Sequence, residues 1–320
     1  MQDYERQALL AQIAELYYMQ NMSQADIAQR FGFSRSKVSR LITESRESGT
    51  VQIRINHPVR RESALESRLA RAFKLQDAYV LQTSLYNEAQ SLRSLGRLGA
   101  TYLNEHITPN STLGISWGTA IYEVAQALRQ RNYPSLRIVQ IIGSVGYGDP
   151  AVDGPELARN IATLFSGKYF TLNSPVLVKD KQARDTLMNE RHIKEVLAMG
   201  LDADYYLVGI GSTTPEHSAL VRAGSVLAKE MNTINRSVGT VGDICARLYD
   251  QSGNFEGIEF NQRVVGISLQ QLRDANGTVV GIAGGEAKAP AILGAVRGGL
   301  VDVLITDDKA ATKVLELDHQ

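Results

Sequence analysis

Cysteine is nearly absent from this chain: Cys245 is the only one among 320 residues. A single cysteine excludes an internal disulfide framework and fits a reducing compartment. No run of 18 apolar residues occurs, so we expect no transmembrane span. Residues 1–6 lack the basic start and the apolar core of a signal peptide. These absences predict a cytoplasmic protein with no membrane partner.

Net charge is also absent, because 34 Lys and Arg residues balance 34 Asp and Glu residues. This balance argues against a protein coated in nucleic acid, but it allows a small DNA-reading module. Between Arg30 and Arg46 there are five basic residues and one acidic residue, Glu44, a local net charge of +4. The positive charge is therefore concentrated in one short segment, where DNA phosphates would favour it.

Residues 23–42 of that segment have the pattern of a helix-turn-helix. The apolar residues that would form the inner faces of its two helices are Ile27, Ala28, Phe31, Val38, Leu41 and Ile42. Gly32 lies at the turn, where a residue without Cβ adopts positive φ at little cost. Ser34 stands where the second helix needs an N-cap.

Polar side chains on the other face of the second helix can bond base edges or phosphates. The residues that we predict to contact DNA are Gln24, Ser34, Arg35, Ser36, Lys37, Ser39 and Arg40. The alternative is an ordinary helical hairpin with a solvated charged face. The turn, the cap, the small residue Ala28 and the polar face agree at the required offsets, which favours DNA binding.

The domain boundary is predicted near Pro58, which breaks structure among polar residues. Residues 2–19 have helical apolar spacing, and Val51, Ile53 and Ile55 alternate with polar residues as in a short strand. These features predict a winged helix-turn-helix domain over residues 1–57. A larger domain, over residues 58–320, would bind an effector and oligomerise.

The larger domain alternates short β-rich runs with helical stretches, which predicts an α/β fold with a mostly parallel, Rossmann-like sheet. The predicted strands cover residues 77–82, 112–116, 136–142, 204–210, 264–267, 278–283 and 302–306. The predicted helices cover residues 87–106, 119–131, 155–166, 182–199, 288–298 and 308–317. Ligands of such sheets bind where strands end and lead into helices.

Two of these strand ends have the features of an anion site. The loop from Gly114 to Thr119 places a glycine and two hydroxyl residues before a helix, where free N–H groups and the helix dipole favour phosphate. An empty N-cap turn is the alternative, and Trp117 could wall a pocket or cover the core. Lys288 follows Gly284-Gly285 in the first turn of another helix, a position that is unfavourable unless an anion offsets it.

The other two strand ends are less specific. Gly143 and Ser144 belong to a glycine-rich loop whose order does not fit the dinucleotide fingerprint, so we expect no NAD. We expect no other cofactor and no metal either. A third loop contains Gly209, Gly211 and Ser212, and His217 beyond it is better explained by an exposed loop than by acid–base catalysis.

Two aspartates stand beside predicted helices. Asp243 is expected ahead of a helix holding Ile244 and Leu248, where it would cap that helix or accept hydrogen bonds from sugar hydroxyls. Asp307 is expected to cap the last helix. Leu65, at the start of an apolar stripe at four-residue spacing, is expected to pack on its own domain rather than at a subunit interface.

Taken together, these motifs resemble the SorC family of bacterial transcription regulators over essentially the whole chain. The marks are residues 37–42, 114–119, 208–212, 241–245 and 284–292. The resemblance implies a second domain similar to glucosamine-6-phosphate deaminase and ribose-phosphate isomerase. It also implies a phosphorylated sugar or polyol effector, and homodimers or homotetramers on operator DNA. The candidate effector-binding residues are Gly114, Ser116, Trp117, Gly118, Thr119, Gly143, Ser144, Gly209, Gly211, Ser212, Asp243 and Lys288.

One position departs from the family pattern. Some members carry a lysine just before the glycine of the second loop, and that lysine forms a Schiff base with the effector. This chain has Ile142 at the position, which excludes that chemistry. We therefore predict a regulator of a carbohydrate catabolic operon, acting as a repressor and not as an enzyme. The alternatives are a sugar-phosphate isomerase or deaminase carrying a helix-turn-helix, and a DNA-binding module whose second domain only oligomerises.

Overall fold

The computed structural model describes residues 2–51, 59–84, 86–146 and 148–319. The chain divides into two compact units, Met1–Pro58 and Val59–Gln320. The predicted wing lies mostly outside the described residues, since Ile53 and Ile55 are not among them. Within the described residues, no helix is long and apolar enough to cross a membrane.

The first unit is a three-helix helix-turn-helix. Its helices are α1 Gln2–Ala14, which continues as a π-helical turn over Glu15–Met19, α2 Gln24–Phe31 and α3 Arg35–Glu47. The predicted inner faces are confirmed, because Ile27, Val38 and Leu41 are fully or almost fully buried. Gly32 ends α2 at φ 66°, and the Ser34 hydroxyl accepts a hydrogen bond from Lys37 N at 3.3 Å. Both local predictions for the turn are therefore confirmed.

The second unit is built on a mostly parallel sheet, as predicted. Its described strands are β1 Asp77–Leu81, β2 Thr112–Ile115, β3 Arg137–Gln140, β4 Lys168–Phe170, β5 Tyr205–Ser212, β6 Thr240–Ile244, β7 Arg247–Asp250, β8 Thr278–Ile282 and β9 Val303–Asp307. The sheet order is β1-β9-β8-β5-β2-β3-β4, with parallel pairing throughout. The β6–β7 hairpin joins the end of β5 in antiparallel pairing.

Helices cover the two faces of this sheet over separate apolar cores. The described helices are α4 Ser63–Phe73, α5 Glu88–His106, α6 Thr119–Ala127, α7 Gly154–Phe165, α8 Lys181–Asn189, α9 Arg191–Leu201, α10 Ala219–Arg222, α11 Ala228–Val238, α12 Leu269–Arg273, α13 Ala289–Arg297 and α14 Asp308–Asp318. Short 3₁₀ turns cover Pro150–Val152, Glu259–Arg263 and Glu286–Lys288. The apolar stripe of α4 packs on its own unit, as predicted, because Leu69 is fully buried in one of these cores.

The helix predicted after Asp243 is wrong: β6 and β7 form a hairpin there. Cys245 and Ala246 make its two-residue turn at φ 51° and 55°, the positive values that tight hairpin turns require. Ile244 and Leu248 are both buried, so their four-residue spacing gave the impression of one helix face. The turn lacks the Asn or Gly that usually marks such hairpins, which is why the sequence did not reveal it.

Other boundaries also differ from the predictions. Residues 264–267 form only isolated bridges, at Val264 and Gly266, and not a strand. The helix predicted over 182–199 is interrupted at Glu190, which separates α8 from α9, and the helix predicted over 119–131 ends at Ala127. In contrast, β5 runs through Ser212 because the β6 hairpin extends its pairing.

Candidate effector cavity and DNA-binding surface

A cavity of about 230 Å³ opens at the carboxyl ends of β2, β5 and β8. This is the edge of a parallel sheet at which ligands are expected. Its lining combines the loop before α6 and the first turn of that helix, the ends of β5 and β8, the β6–β7 hairpin and the 3₁₀ turn before α13. The residues from these segments are Ser116, Trp117, Gly118, Thr119, Ala120, Ile121, Gly209, Ile210, Gly211, Asp243, Cys245, Ala246, Ile282 and Lys288.

The start of α6 forms one wall of the cavity. Gly118 precedes the helix at φ 125°, a value that disfavours any residue with a Cβ. Thr119, Ala120 and Ile121 form the first turn, whose N–H groups have no acceptor within a helix. Ser116 fixes the approach to this turn, because its buried hydroxyl accepts a hydrogen bond from Gly209 N at 3.3 Å. The wall therefore presents donors and the positive end of a helix dipole to the cavity.

Trp117 fills both roles that its sequence position left open. It lines the cavity, and it also packs partly buried against both apolar cores of the unit. Its Nε1 atom is buried and has no hydrogen-bond partner within the described part of the chain. A buried donor without an acceptor is costly, so this atom has capacity for one further bond.

Lys288 adds a cation to the cavity lining. It is the N-cap residue of α13, just before the first helical turn in which it was expected. Its Nζ donates a hydrogen bond to the backbone oxygen of Ile210 at 3.1 Å. Burial lowers the pKa of the Lys288 ammonium, and the nearby Asp243 carboxylate opposes that shift. A neutral carbonyl is a weak partner for a half-desolvated cation, so an anion would bind more strongly there.

Asp243 lies beside this lysine and is 7% exposed. Its Oδ1 has no hydrogen-bond partner among the described residues. Burial raises the pKa of Asp243 to about 6, although Lys288 and a backbone hydrogen bond from Ala246 act in the opposite direction. Gly211 lies so close that a Cβ at this position would overlap with the carboxylate. The site thus holds a buried carboxylate oxygen that has no hydrogen-bond partner among the described residues.

Further polar residues on the cavity rim were not predicted from the sequence. Arg222 and His217 both line it, and Arg222 donates to the His217 backbone oxygen at 3.3 Å. Asp153 also lines it, and its carboxylate accepts from Val145 N at 3.0 Å and from Gly146 N at 3.1 Å. Asp153 precedes Gly-Pro at the start of α7, an N-cap signal that could have been recognised.

Four of the predicted effector residues lie outside the cavity lining. Gly114 is inside β2, where a Cβ would meet Tyr206 and Ile141. Gly143 packs against the backbone of Pro175, and the Ser144 hydroxyl accepts from Gln140 Nε2 at 3.2 Å. Ser212 ends β5 and accepts from Thr214 N at 3.2 Å. Gly114 and Gly143 are therefore required by tight packing, and the hydroxyls of Ser144 and Ser212 are used in local hydrogen bonds.

His217 and Asp307 lie where the sequence led us to expect them. His217 is exposed on the rim, as expected for a loop residue. No cluster of His, Cys, Asp and Glu side chains that could hold a metal ion occurs within the described ranges. Asp307 caps α14 through a 2.8 Å hydrogen bond from Ala310 N, which confirms that prediction.

The first unit presents its own polar surface. Of the predicted DNA contacts, the exposed residues are Ser34, Arg35, Ser36, Ser39 and Arg40, whereas Gln24 and Lys37 are half-buried. Lys37 lies over the ring of Phe33 with its Nζ 3.6 Å from the ring centroid. This contact holds the lysine near the start of α3.

The single acidic residue of the basic segment does not offset that surface. Glu44 accepts two hydrogen bonds from Arg6, at 2.9 and 2.5 Å. These bonds lower the pKa of the Glu44 carboxyl and raise that of the Arg6 guanidinium. Because Arg6 neutralises Glu44, the charges of Arg35 and Arg40 remain available to an external anion.

Comparison with known proteins agrees with both units. Residues 57–316 match the protein family described as "Putative sugar-binding domain". The deoxyribonucleoside regulator of Bacillus subtilis (strain 168) is 32% identical over 309 residues, which cover 97% of each chain. The sorbitol operon regulator of Klebsiella pneumoniae is 31% identical over 96% of this chain and 98% of its own. The crystal structure of full-length SorC from Klebsiella pneumoniae superposes with a TM-score of 0.74, again over 96% and 98% of the two chains.

The chain belongs to the SorC family of transcriptional regulators. Its relatives match along nearly their whole length, and they are regulators rather than enzymes. The prediction of a regulator with a sugar-binding domain is therefore confirmed, and the isomerase or deaminase alternative is not supported. The predicted SorC-family fold, with an N-terminal helix-turn-helix and a Rossmann-like second unit, is also confirmed.

Proposed function

We propose that this SorC-family regulator represses a carbohydrate catabolic operon in the cytoplasm. It binds operator DNA through α3 and releases it when a phosphorylated sugar or polyol occupies the cavity. One observation carries the proposal: Lys288, the first turn of α6 and Asp243 line the same cavity at the carboxyl edge of a parallel sheet. That combination matches a ligand with an anionic group and several hydroxyls.

The phosphate would lie between Lys288 and the start of α6. Lys288 offers a cation that hydrogen-bonds to a backbone carbonyl. The α6 turn offers N–H groups and a favourable dipole, and phosphate is a common ligand of such turns. Arg222 on the rim adds a second positive charge toward the same opening. Hydrogen bonds from these groups to a phosphate are charge-assisted, and such bonds are about twice as strong as neutral ones.

The hydroxyls of the ligand would be recognised by Asp243. Its Oδ1, which has no hydrogen-bond partner among the described residues, can accept a hydrogen bond from a ligand hydroxyl. A buried acceptor of this kind rejects analogues that lack the hydroxyl, because the carboxylate is then left unpaired. Trp117 Nε1 can donate to a further ligand oxygen in the same cavity. The names of the deoxyribonucleoside and sorbitol operon relatives agree with a carbohydrate ligand.

Recognition of DNA would use the exposed start of α3. Arg35, Ser36 and Ser39 lie on the surface of this helix, which in a helix-turn-helix enters the major groove. Arg40 adds charge for the phosphate backbone. One such helix reads only a short half-site, so tight binding requires two-fold symmetry and a homodimer or homotetramer.

Regulation then follows from a two-state equilibrium. A ligand shifts the protein away from operator DNA only if it binds the weakly DNA-binding state more tightly than the operator-bound state. A tenfold difference between the two ligand affinities corresponds to about 1.4 kcal/mol. The cavity residues supply that difference, because the positions of Lys288 and Asp243 decide how well an anion is held.

A thermal-shift screen tests the ligand half of the proposal. Ribose 5-phosphate, fructose 6-phosphate and sorbitol 6-phosphate are each compared with their unphosphorylated parents, since a bound ligand raises the melting temperature. A phosphorylated compound is expected to raise it, and its parent is expected to have little effect. Equal shifts for both members of every pair would contradict the phosphate assignment. No shift with any sugar or sugar phosphate would favour a second unit that only oligomerises.

Light scattering tests the assembly. We expect a dimer or larger species at micromolar concentration, with and without DNA. A single species at the chain mass of 35.1 kDa under both conditions would contradict this expectation.

A further inference from the structure

The segment that follows the helix-turn-helix unit is attached to the edge of the sheet in the second unit. Residues 60–62 run antiparallel beside β1, the edge strand. Glu62 N donates to Val80 O, and Gln82 N donates to Arg60 O, both at 2.9 Å. We call residues 60–62 the linker strand. The linker strand is the part of the second unit that follows the helix-turn-helix unit in the chain.

An ion pair between exposed Arg61 and buried Glu66 reinforces the linker strand. Glu66 is 9% exposed and accepts hydrogen bonds from Arg61 Nε at 2.7 Å and Arg61 Nη2 at 3.0 Å. The same carboxylate accepts from Val80 N at 2.9 Å. The guanidinium of Arg61 also lies over the ring of Tyr79, 4.0 Å from its centroid. The linker strand is therefore held to β1 by side chains as well as by the backbone.

The Lys288 turn of the cavity is held by the neighbouring strand, β9. Asp307, at the end of β9, accepts from Gly285 N at 2.6 Å and from Ala310 N at 2.8 Å. Its carboxylate packs directly against the turn, because a Cβ at Gly284 would lie 2.5 Å from Asp307 Oδ2. Lys288 N closes the turn by donating to Gly285 O at 3.0 Å. Asp307 thus fixes the base of the turn that carries the cavity's cation.

The next residue joins this turn to the linker strand. Asp308 accepts hydrogen bonds from Thr83 N, at 3.1 Å, and from the Thr83 hydroxyl. Thr83 is buried and follows Gln82, whose N–H holds the linker strand. Asp307 is also the register partner of Leu81 across β9 and β1. A continuous set of contacts therefore runs through Lys288, Gly285, Asp307, Asp308, Thr83, Gln82 and Arg60.

We propose that Asp307 and Asp308 are positioning residues that couple the Lys288 turn to the linker strand. An anion that draws the Lys288 ammonium from Ile210 O moves the turn, and Asp307 transmits that movement to the start of α14. Asp308 and Thr83 then pass it to the strand that tethers the DNA-binding unit. The ligand part of this inference rests on the proposed function, but the mechanical connection does not. A physical coupling of this kind requires one element that both sites bias, and here it is the β9–α14 junction.

Hydrogen–deuterium exchange of the full chain tests the connection without any ligand. Lys288→Ala removes the tie to Ile210, so we expect exchange in residues 59–66 to change by about 2- to 30-fold, the range typical of such couplings. Thr83→Val and Asp308→Asn should each abolish this dependence on Lys288. Asp318→Asn, the same chemical change at the far end of α14, is the matched control and should preserve it. If Thr83 had a merely structural role, Thr83→Val would alter the basal exchange of residues 59–66, but Lys288→Ala would still change that exchange.

A second measurement separates this inference from the proposed function. The sugar phosphate that gives the largest thermal shift is added, and exchange is followed in residues 281–290 and 59–66. The coupling is supported if the ligand protects both segments in the parent chain but protects only residues 281–290 in Thr83→Val. If no sugar phosphate binds, the proposed function fails, while the Lys288→Ala comparison still decides the coupling. The inference is overturned if Lys288→Ala leaves residues 59–66 unchanged, or if its effect persists in both Thr83→Val and Asp308→Asn.

Discussion

The two units handle charge in opposite ways. In the helix-turn-helix unit, Arg35 and Arg40 are exposed on α3, and Glu44, the one acidic residue between Arg30 and Arg46, is paired with Arg6. In the second unit, Asp243 and Lys288 lie close together around one cavity; among the described residues, Oδ1 of Asp243 has no hydrogen-bond partner and Lys288 bonds to a backbone carbonyl. The exposed surface suits a large polyanion in water, and the inward pair suits a small ligand that displaces water.

This difference decides which interactions are strong and which are adjustable. Exposed charges contribute individually small, salt-dependent energies, which add up over a DNA surface. Buried charges are coupled to one another and to protons, so a single change alters the whole site. Mutations in the cavity should therefore have large effects that depend on pH and on the ligand's phosphate. Mutations on α3 should have smaller effects that depend on salt.

Lys288→Ala should have the largest effect. Removal of the cation that pairs with the phosphate should weaken binding of the sugar phosphate by about 2–5 kcal/mol, at least about 30-fold. Isothermal calorimetry measures this loss. Lys309→Ala, an exposed lysine on α14, is the control. Unchanged affinity of Lys288→Ala for the same sugar phosphate would remove Lys288 from the site.

Asp243→Asn tests the buried acceptor through pH. The pKa of Asp243 is raised from 3.8 to about 6, so the folded chain keeps a proton that the unfolded chain has lost. The free energy of unfolding therefore has its full value below pH 3.8 and falls by ~3 kcal/mol as pH rises through about 6. Asp243→Asn should lack this loss.

Denaturant unfolding of both chains across that pH range provides the measurement. The difference in unfolding free energy between variant and parent should grow with pH, because Asp307 and all other titrating groups are common to both chains. A difference that stays constant across the range would contradict the raised pKa of Asp243.

Gly211→Ala tests the close approach of β5 to Asp243. The added methyl group overlaps with the carboxylate, so overpacking should destabilise the fold by about 1–3 kcal/mol and weaken ligand binding. Asp243→Ala removes the obstacle, so the double variant should lose less than the sum of the two single changes. Gly224→Ala, at a position with open space around its Cβ but a positive φ, separates backbone strain from overlap. Strict additivity of the Gly211 and Asp243 changes would contradict the contact.

Arg35→Ala should have the smallest effect of this series, about 1–3 kcal/mol in operator affinity if the guanidinium reads a base. Lys37→Ala is less direct, because Lys37 also contacts Phe33. Sugar-phosphate binding should be unchanged in both. Fluorescence anisotropy over a range of salt concentrations measures the affinity, with Arg191→Ala in the second unit as a control. Normal operator affinity of both α3 variants at physiological salt would exclude this placement of α3.

Much of the architecture was predictable because it depends on local patterns. Residue types and periodicity predict the turn at Gly32, the cap at Ser34 and six of the seven strands in the parallel order. The exception is β4, which is only three residues long. The β6–β7 hairpin was missed because its turn uses Cys245 and Ala246 in a conformation that those residues rarely adopt. Local signals cannot reveal a turn that tertiary packing imposes.

The cavity was predictable in position but not in membership. The strand-end rule led to the start of α6 and to Lys288. Asp243 was singled out for another reason, a helix predicted after it that does not exist, yet the structure brings it together with the other two. Gly143 and Ser144 follow a strand as well, yet they are occupied by packing against Pro175 and by Gln140. Arg222 and Asp153 reach the rim from segments that are distant in sequence. Which strand-end residues face a shared space depends on how the loops fold over the sheet, and single-residue signals do not contain that information.

The response of operator binding to a sugar phosphate tests the central claim most directly. Anisotropy of a labelled operator fragment is recorded with the full chain while the sugar phosphate that binds best in the thermal screen is added. We predict at least a tenfold loss of operator affinity, about 1.4 kcal/mol, that disappears in Lys288→Ala and is not produced by the unphosphorylated parent. Operator affinity that stays constant while the sugar phosphate saturates the protein would contradict it.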